Sequence, residues 1–202
     1  MRDGVLRRQK DRLLTPLAGD WAAAIHPNYI SGVALLFGLL AAWAVWQEAY
    51  GWGVLLWVVN RVLDGLDGVV ARVHHKQSDF GGYLDLILDF VVYLAVPIAF
   101  TAAAPTPFNL WAVVALLAAY VMNLLSWSVL SAILEKRRAG TTDDLTTIAM
   151  PAGLIEGAET IVFYTLFFLL PAYVGWLFLL MAALVLMTAA QRIWWTYRNV
   201  TG

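Results

Sequence analysis

The sequence predicts an all-α integral membrane protein, a bundle of six transmembrane helices led in by an N-terminal interfacial amphipathic helix. Three observations carry that expectation. Hydrophobic residues make up 61% of the 202 positions and charged residues only 13%, about half the charged share of a soluble domain. Ten Trp and eight Tyr supply the amphipathic rings that membrane interfaces favour. The apolar residues gather into runs of about 20, the length a helix needs to cross a bilayer.

The first 27 residues read as the interfacial segment. Leu6, Leu13, Leu17 and Trp21 share one helical stripe, with Arg7, Arg8 and Arg12 largely off it. That pattern sets cations against anionic lipid of the inner leaflet. A basic tail that serves topology alone is the plainer reading of the same residues. Pro16 after Thr15 breaks or restarts the helix, since Pro suits a first helical position. No short apolar run followed by a small-residue cleavage site precedes the first span, so a removable signal peptide is not expected.

Six spans come next, at 29–47, 52–73, 83–103, 108–134, 151–170 and 173–195, and no linker or repeat divides the chain. Residues 28–202 are therefore expected to form one bundle within a single domain. Glu48-Ala49-Tyr50-Gly51 and Ala104-Pro105-Thr106-Pro107 make short turns on one side. The thirteen Lys and Arg fall at 2, 7, 8, 10, 12, 61, 72, 76, 136–138, 192 and 198. Six spans with both termini cytoplasmic put all of them on or near the inner side, as the positive-inside rule requires. Trp46, Tyr50, Trp52, Tyr173, Trp176, Trp194 and Trp195 lie near span ends and read as interface belts.

Charge inside a span is costly and marks function by default. The second and third spans carry Asp64, Asp67, Asp85 and Asp89. At about 100° per residue, Asp64, Asp67, Gly68, Ala71 and Arg72 share one helical face, while Val62, Leu63, Leu66, Val69 and Val70 hold the other. Gly81, Asp85 and Asp89 fall within an arc of about 80°. A helical rise puts Asp64 and Asp67 roughly 18–23 Å inward from Trp52, and Asp85 and Asp89 within roughly 10 Å of the inner edge. All four carboxylates thus converge at the cytoplasmic end.

Four clustered carboxylates repel one another unless neutralised. Hard divalent cations, Mg²⁺ or Mn²⁺, suit oxygen ligands, and the absence of Cys leaves no soft ligand. Such ions bind and polarise phosphates. Gly65, Gly68 and Ala71 strip bulk from the same face and let a phosphate-rich ligand approach. Arg72 adds an anion contact at the rim.

The run Asp64-x-x-Asp67-Gly68-x-x-Ala71-Arg72, eight residues, then Gly81-x-x-x-Asp85-x-x-x-Asp89, resembles the signature of the CDP-alcohol phosphatidyltransferases at every fixed position. Asn28 after Pro27 also looks like that family, and the six-span layout extends the resemblance over most of the chain. The resemblance implies two divalent ions held by Asp64, Asp67, Asp85 and Asp89, gripping the diphosphate of CDP-diacylglycerol. It implies that Asp89 takes the proton of the attacking hydroxyl, that Asp64, Gly68, Ala71, Arg72 and Gly81 lie near the nucleotide, and that CMP leaves. It implies a homodimer as well.

Two other readings of the four Asp fit the sequence less well. A polar network with Arg61, Arg72 or His74 leaves too many acids for the available bases. A divalent-cation transporter expects a midplane site and repeated halves, and neither shows. The acceptor is less determined. Lys136, Arg137, Arg138 and Arg192 favour a phosphorylated polyol such as glycerol phosphate or inositol phosphate, yet suit a topology signal equally. Glu156 and Glu159 point toward an uncharged or amine-bearing alcohol such as serine, or are helix N-terminal acids favoured by the dipole. His74 and His75 read as solvated loop residues.

Overall fold

Prolines and short polar turns cut the apolar chain into six helices. These are α1 (Pro27–Trp46), α2 (Tyr50–Val73), α3 (Asp79–Ala103), α4 (Pro107–Ala139), α5 (Gly157–Leu169) and α6 (Val174–Val200). The computed structural model describes residues 14–139 and 153–200, and no strand occurs among them.

Each boundary has a local cause. Pro27 opens α1, and His26 Nδ1 accepts the Asn28 N–H at 3.3 Å. Ser78 caps α3 by accepting the Gly81 N–H at 3.0 Å. Both α1 and α2 are followed by a residue in the left-handed region, Glu48 (φ 58°) and His75 (φ 55°). After α2, the Lys76 N–H reaches the Ala71 carbonyl at 2.8 Å and the His75 N–H that of Arg72 at 3.4 Å. This double return satisfies the last carbonyls and reverses the chain toward α3.

Four helices are long and apolar enough to cross a membrane: α1, α3, α4 and α6 with the turn before it. The other two depart from the six spans expected. Helix α2 has the length, 24 residues, but carries Arg61, Asp64, Asp67 and Arg72. Helix α5 has only 13 residues, about 20 Å of rise against roughly 30 Å of hydrocarbon. The expected start at 151 moves to Gly157, and Pro151 itself lies outside the described residues. Glu156 and Glu159 form a reciprocal capping box that opens the helix there. Just before it, the Leu154 and Ile155 N–H groups donate to Thr188 Oγ1 of α6, each at 3.1 Å. Pro171 then begins a short 3₁₀ turn that ends α5.

The expected interfacial helix is described only in part. Residues 1–13, with Leu6, Leu13, Arg7, Arg8 and Arg12, lie outside the described set, as do the side chains of Leu17 and Trp21. Beyond them the chain makes two 3₁₀ turns, Thr15–Leu17 around Pro16 and Asp20–Ala24. Ala18 and Ala22 are buried against Ile30, Leu66, Val69 and Val70. The stretch is therefore docked onto α1 and α2, where small side chains let it approach closely.

Helix α1 lies against both α2 and α3, and α4 packs along α6, with α5 set against α2. At Gly38 of α1 an added Cβ would stand 2.5 Å from a Val92 methyl of α3 and 3.1 Å from Asn60 Nδ2 of α2. Only glycine permits that three-way approach. A layer of buried aromatics joins the two halves: Trp57 stacks on Tyr164 (5.2 Å) and Phe168 (5.8 Å). Outward faces are apolar, with Trp43, Trp46, Trp52, Trp111 and Trp176 all more than half exposed, as in a membrane protein that meets lipid. Tyr50 departs from its expected belt role, stacking on Phe100 at 6.0 Å.

Candidate active site

Helices α2 and α3 run antiparallel from the His74-His75 reversal, so their acidic faces meet beside the start of α1. Two adjoining cavities result. The outer one, about 240 Å³, is lined by Asp67, Gly68, Ala71 and Arg72 of α2, by Gly81 and Asp85 of α3, and by Asn28 and Ser31 of α1. A smaller cavity of about 10 Å³ is lined by Asp64, Asp85 and Asp89 together with Ser31 and Asn60. Asp85 and Ser31 border both. All eight residues of the spaced motif thus line one continuous recess.

The glycines form its floor. At Gly81 an added Cβ would stand 3.0 Å from Ser78 Oγ and 3.3 Å from Asn28 Oδ1; at Gly68 it would stand 3.2 Å from the Arg72 guanidinium. Side chains there would displace the groups that shape the recess. Asn28 and Ser78, a first-turn residue and a cap, are brought to the same rim by the short α2–α3 connection.

Asp64, Asp67 and Asp89 meet the protein's own donors. Asp67 is buried and accepts from the Ser31 hydroxyl at 2.5 Å. Arg61 Nη2 donates to Asp89 Oδ1 at 2.7 Å, and its Nη1 stands 3.6 Å from Asp64 Oδ2. Asn60 fixes the guanidinium by accepting its Nε–H at 2.7 Å, while Asn60 Nδ2 donates to the Ala34 carbonyl at 2.7 Å. Tyr93 adds its hydroxyl, 3.1 Å from Arg61 Nη1 and 3.5 Å from Asp89 Oδ2. Its backbone carbonyl accepts from Tyr164 Oη at 2.5 Å, which ties the site to α5.

The donor set suits a hard divalent cation: carboxylate oxygens with no sulfur. Among the described residues, no three His, Cys, Asp or Glu are gathered about one point as an ion would gather them. Ser31 donates to Asp67, and Arg61 pairs with both Asp64 and Asp89.

Lys76 borders the outer cavity. Its ammonium donates to the carbonyls of Ala23 at 2.5 Å and Ile25 at 3.0 Å, pinning the second 3₁₀ turn beside the recess. His75 is exposed and His74 half-buried, with Nε2 buried and lacking a hydrogen-bond partner among the described residues.

The residues expected to contact an acceptor fall into separate roles. Glu156 Oε1 accepts from Gly153 N at 2.8 Å, and Glu159 Oε2 from Glu156 N at 3.2 Å, so both serve the start of α5. Arg137 donates to the Val200 carbonyl, and Lys136 is exposed at the end of α4. The side chain of Arg138 lies outside the described set. Arg192 is buried, gives Nη1 to Asn123 Oδ1 at 2.7 Å, and keeps Nε without a hydrogen-bond partner among the described residues.

Sequence reasoning names Arg61 only as a candidate partner in a polar network with the Asp residues, the pairing seen here, and gives no site role to Ser31, Tyr93 or Lys76. Arg61 carries a signal, lying three residues before Asp64 and so on one helical face with it. Ser31, Tyr93 and Lys76 act across helices and carry none.

The chain has relatives among known proteins. The chain is 36% identical over 177 residues, 86% of its length and 84% of the relative's, to the inner membrane protein YnjF of Escherichia coli. It is 28% identical over 207 residues to the bifunctional IPC transferase and DIPP synthase of Thermococcus kodakarensis, an alignment that takes in 98% of the chain and 46% of that protein. A stretch of 65 residues, 32% of the chain and 35% of the relative, is 35% identical to the archaetidylinositol phosphate synthase of Pyrococcus horikoshii. Residues 24–191, which include the whole recess, match the CDP-alcohol phosphatidyltransferase profile, and the chain belongs to that family.

Proposed function

We propose that this protein transfers the phosphatidyl group of CDP-diacylglycerol to an alcohol and releases CMP. The observation that carries the reading is the meeting of four carboxylates from two helices along one recess whose floor is glycine. Asp64, Asp67, Asp85 and Asp89 would hold two divalent cations, Mg²⁺ or Mn²⁺, whose charge would offset that of the diphosphate. Gly68, Ala71, Arg72 and Gly81 would lie along the nucleotide, with Arg72 donating to its phosphate oxygens.

Asp89 is the base in this reading. Its Oδ1 accepts from Arg61 and its Oδ2 lies 3.5 Å from the Tyr93 hydroxyl, and Oδ2 would take the proton of the incoming hydroxyl. The alcohol oxygen bonds to the phosphorus that bears the lipid, the bond from that phosphorus to the CMP oxygen breaks, and CMP departs. General-base assistance of this kind contributes about 10²–10⁴-fold.

The acceptor we infer is a phosphorylated polyol. Two relatives' names support it, one an IPC transferase and DIPP synthase and one a synthase of archaetidylinositol phosphate. Arg192 supports it too, being a buried guanidinium with one N–H free of described acceptors. Glu156 and Glu159, which the sequence leaves equally open to an amine-bearing acceptor such as serine or to a helix N-terminal role, are engaged in capping α5. The layout we favour has six membrane-crossing helices, both termini and the recess on the cytoplasmic side, in a homodimer. Labelled CDP-diacylglycerol, Mn²⁺ or Mg²⁺ and a panel of alcohols test the acceptor. Inositol phosphate or glycerol phosphate should yield a labelled phospholipid, and product from serine alone would overturn that choice.

A further inference from the structure

Two carboxylates that line the smaller cavity, Asp64 and Asp89, are paired with a cation that belongs to the chain itself. Arg61 has a side chain only 9% exposed, and it reaches Asp89 at 2.7 Å and Asp64 at 3.6 Å. We propose that Arg61 is a resident counter-cation of this site. It holds Asp64 and Asp89 together when no divalent ion is bound, and its charge weakens the binding of such an ion beside them. The inference rests on the reading of the four Asp as a divalent-cation site.

Three features of the geometry support it. The guanidinium is aimed rather than loosely paired: Asn60 accepts from Nε at 2.7 Å and is itself anchored to the Ala34 carbonyl. A planar fork held on one side presents its remaining donors in a fixed direction. Second, the group has lodging that does not depend on Asp89. The Trp57 and Tyr93 rings lie 4.8 and 5.4 Å from the guanidinium carbon, and the Tyr93 hydroxyl is 3.1 Å from Nη1. Cation–π contact is strongest where water is excluded, so Asp89 can turn to another cation without stranding the arginine. Third, the charge is permanent, because an arginine does not release its proton in a protein. A fixed positive charge beside an ion site opposes a second one, and does so strongly away from bulk water.

A purely structural arginine predicts the opposite sign. If Arg61 only braced the carboxylates, its loss would scatter them and weaken ion binding. The two accounts therefore separate on the direction of one affinity change. Arg61 is a positioning residue in either case, because its contacts are with Asp64, Asp89, Asn60 and Tyr93.

The test is Mn²⁺ binding by calorimetry, with melting temperature measured with and without Mn²⁺, on the full chain in lipid nanodiscs. Wild type, Arg61→Lys and Arg61→Met are compared. Arg61→Met, neutral and of similar length, should bind Mn²⁺ about tenfold more tightly. Its melting temperature without Mn²⁺ should fall, and it should gain more on Mn²⁺ addition than wild type does. Arg61→Lys, which keeps the charge, should stay near wild type. Unchanged or weaker binding by Arg61→Met, with wild-type binding intact, overturns the inference alone. Absence of Mn²⁺ binding in wild type and variant alike overturns the cation-site reading and the inference with it. Should Arg61→Met not fold, Asp89→Asn is compared with Arg61→Met/Asp89→Asn, where the closer of the two partners, Asp89, is neutralised together with the arginine. Tighter binding by the double variant supports the inference, and equal or weaker binding overturns it.

Discussion

The Ser31 hydroxyl donates to Asp67 Oδ2 across 2.5 Å, joining α1 to α2 at the point where the two cavities meet. Asp67 is only 5% exposed, so little of it is open to a water that could replace that donor. Loss of a charge-assisted hydrogen bond at such a place costs about 1–3 kcal/mol. Ser31→Ala is expected to keep the fold and lower CMP release by about tenfold or more, while Ser31→Thr, which retains a hydroxyl, loses less. Initial rates alongside thermal unfolding check both halves of the statement.

Two glycines on one helix give a contrast in packing. A methyl at Gly38 meets Val92 at 2.5 Å and 2.9 Å, whereas at Gly32 nothing lies within 4 Å. Overpacking a close helix contact costs about 1–3 kcal/mol. Gly38→Ala should therefore lower the melting temperature in detergent, and Gly32→Ala should leave it unchanged or raise it slightly through better helix propensity. Equal melting temperatures for the two variants would show that α1 does not depend on that approach.

His75 holds a left-handed backbone conformation (φ 55°) at the turn between the two acidic helices. A side chain there costs about 1–2 kcal/mol relative to glycine. With His75 exposed, His75→Gly is expected to stabilise the protein by up to about 1 kcal/mol and to leave CMP release intact. Chemical denaturation in mixed micelles measures the shift.

The chain has no cysteine, so single introduced thiols report topology cleanly. Gln47→Cys and Thr106→Cys should react with a membrane-impermeant maleimide from one face only, and Gln77→Cys from the other only. Labelling of all three from one face would contradict six crossings.

Much of the site is legible in the sequence because its spacing is local. Asp64, Asp67, Gly68, Ala71 and Arg72 lie within nine residues, and a helical period puts them on one face without tertiary information. Helix α3 repeats the case with Gly81, Asp85 and Asp89. Partners brought together by packing are another matter. Asp89 is 28 positions from Arg61, Asp67 is 36 from Ser31, and Lys76 is 53 from Ala23. A wheel drawn for one helix cannot show these pairings. The fifth helix departs from expectation for a different reason. Hydropathy counts apolar residues from 151, but the backbone enters a helix only where Glu156 and Glu159 satisfy its first N–H groups. Capping, rather than hydrophobicity, sets that boundary.

The central claim is that Asp89 takes a proton in a phosphatidyl transfer at this recess. Its most direct test is CMP release from CDP-diacylglycerol by the purified full chain with Mn²⁺ and inositol phosphate or glycerol phosphate, for wild type and Asp89→Asn together. Wild type should release CMP in step with a new phospholipid, and Asp89→Asn should bind CDP-diacylglycerol yet turn over about 10²–10⁴-fold more slowly. CMP release by Asp89→Asn at the wild-type rate would contradict the account, as would its absence from wild type with every alcohol offered.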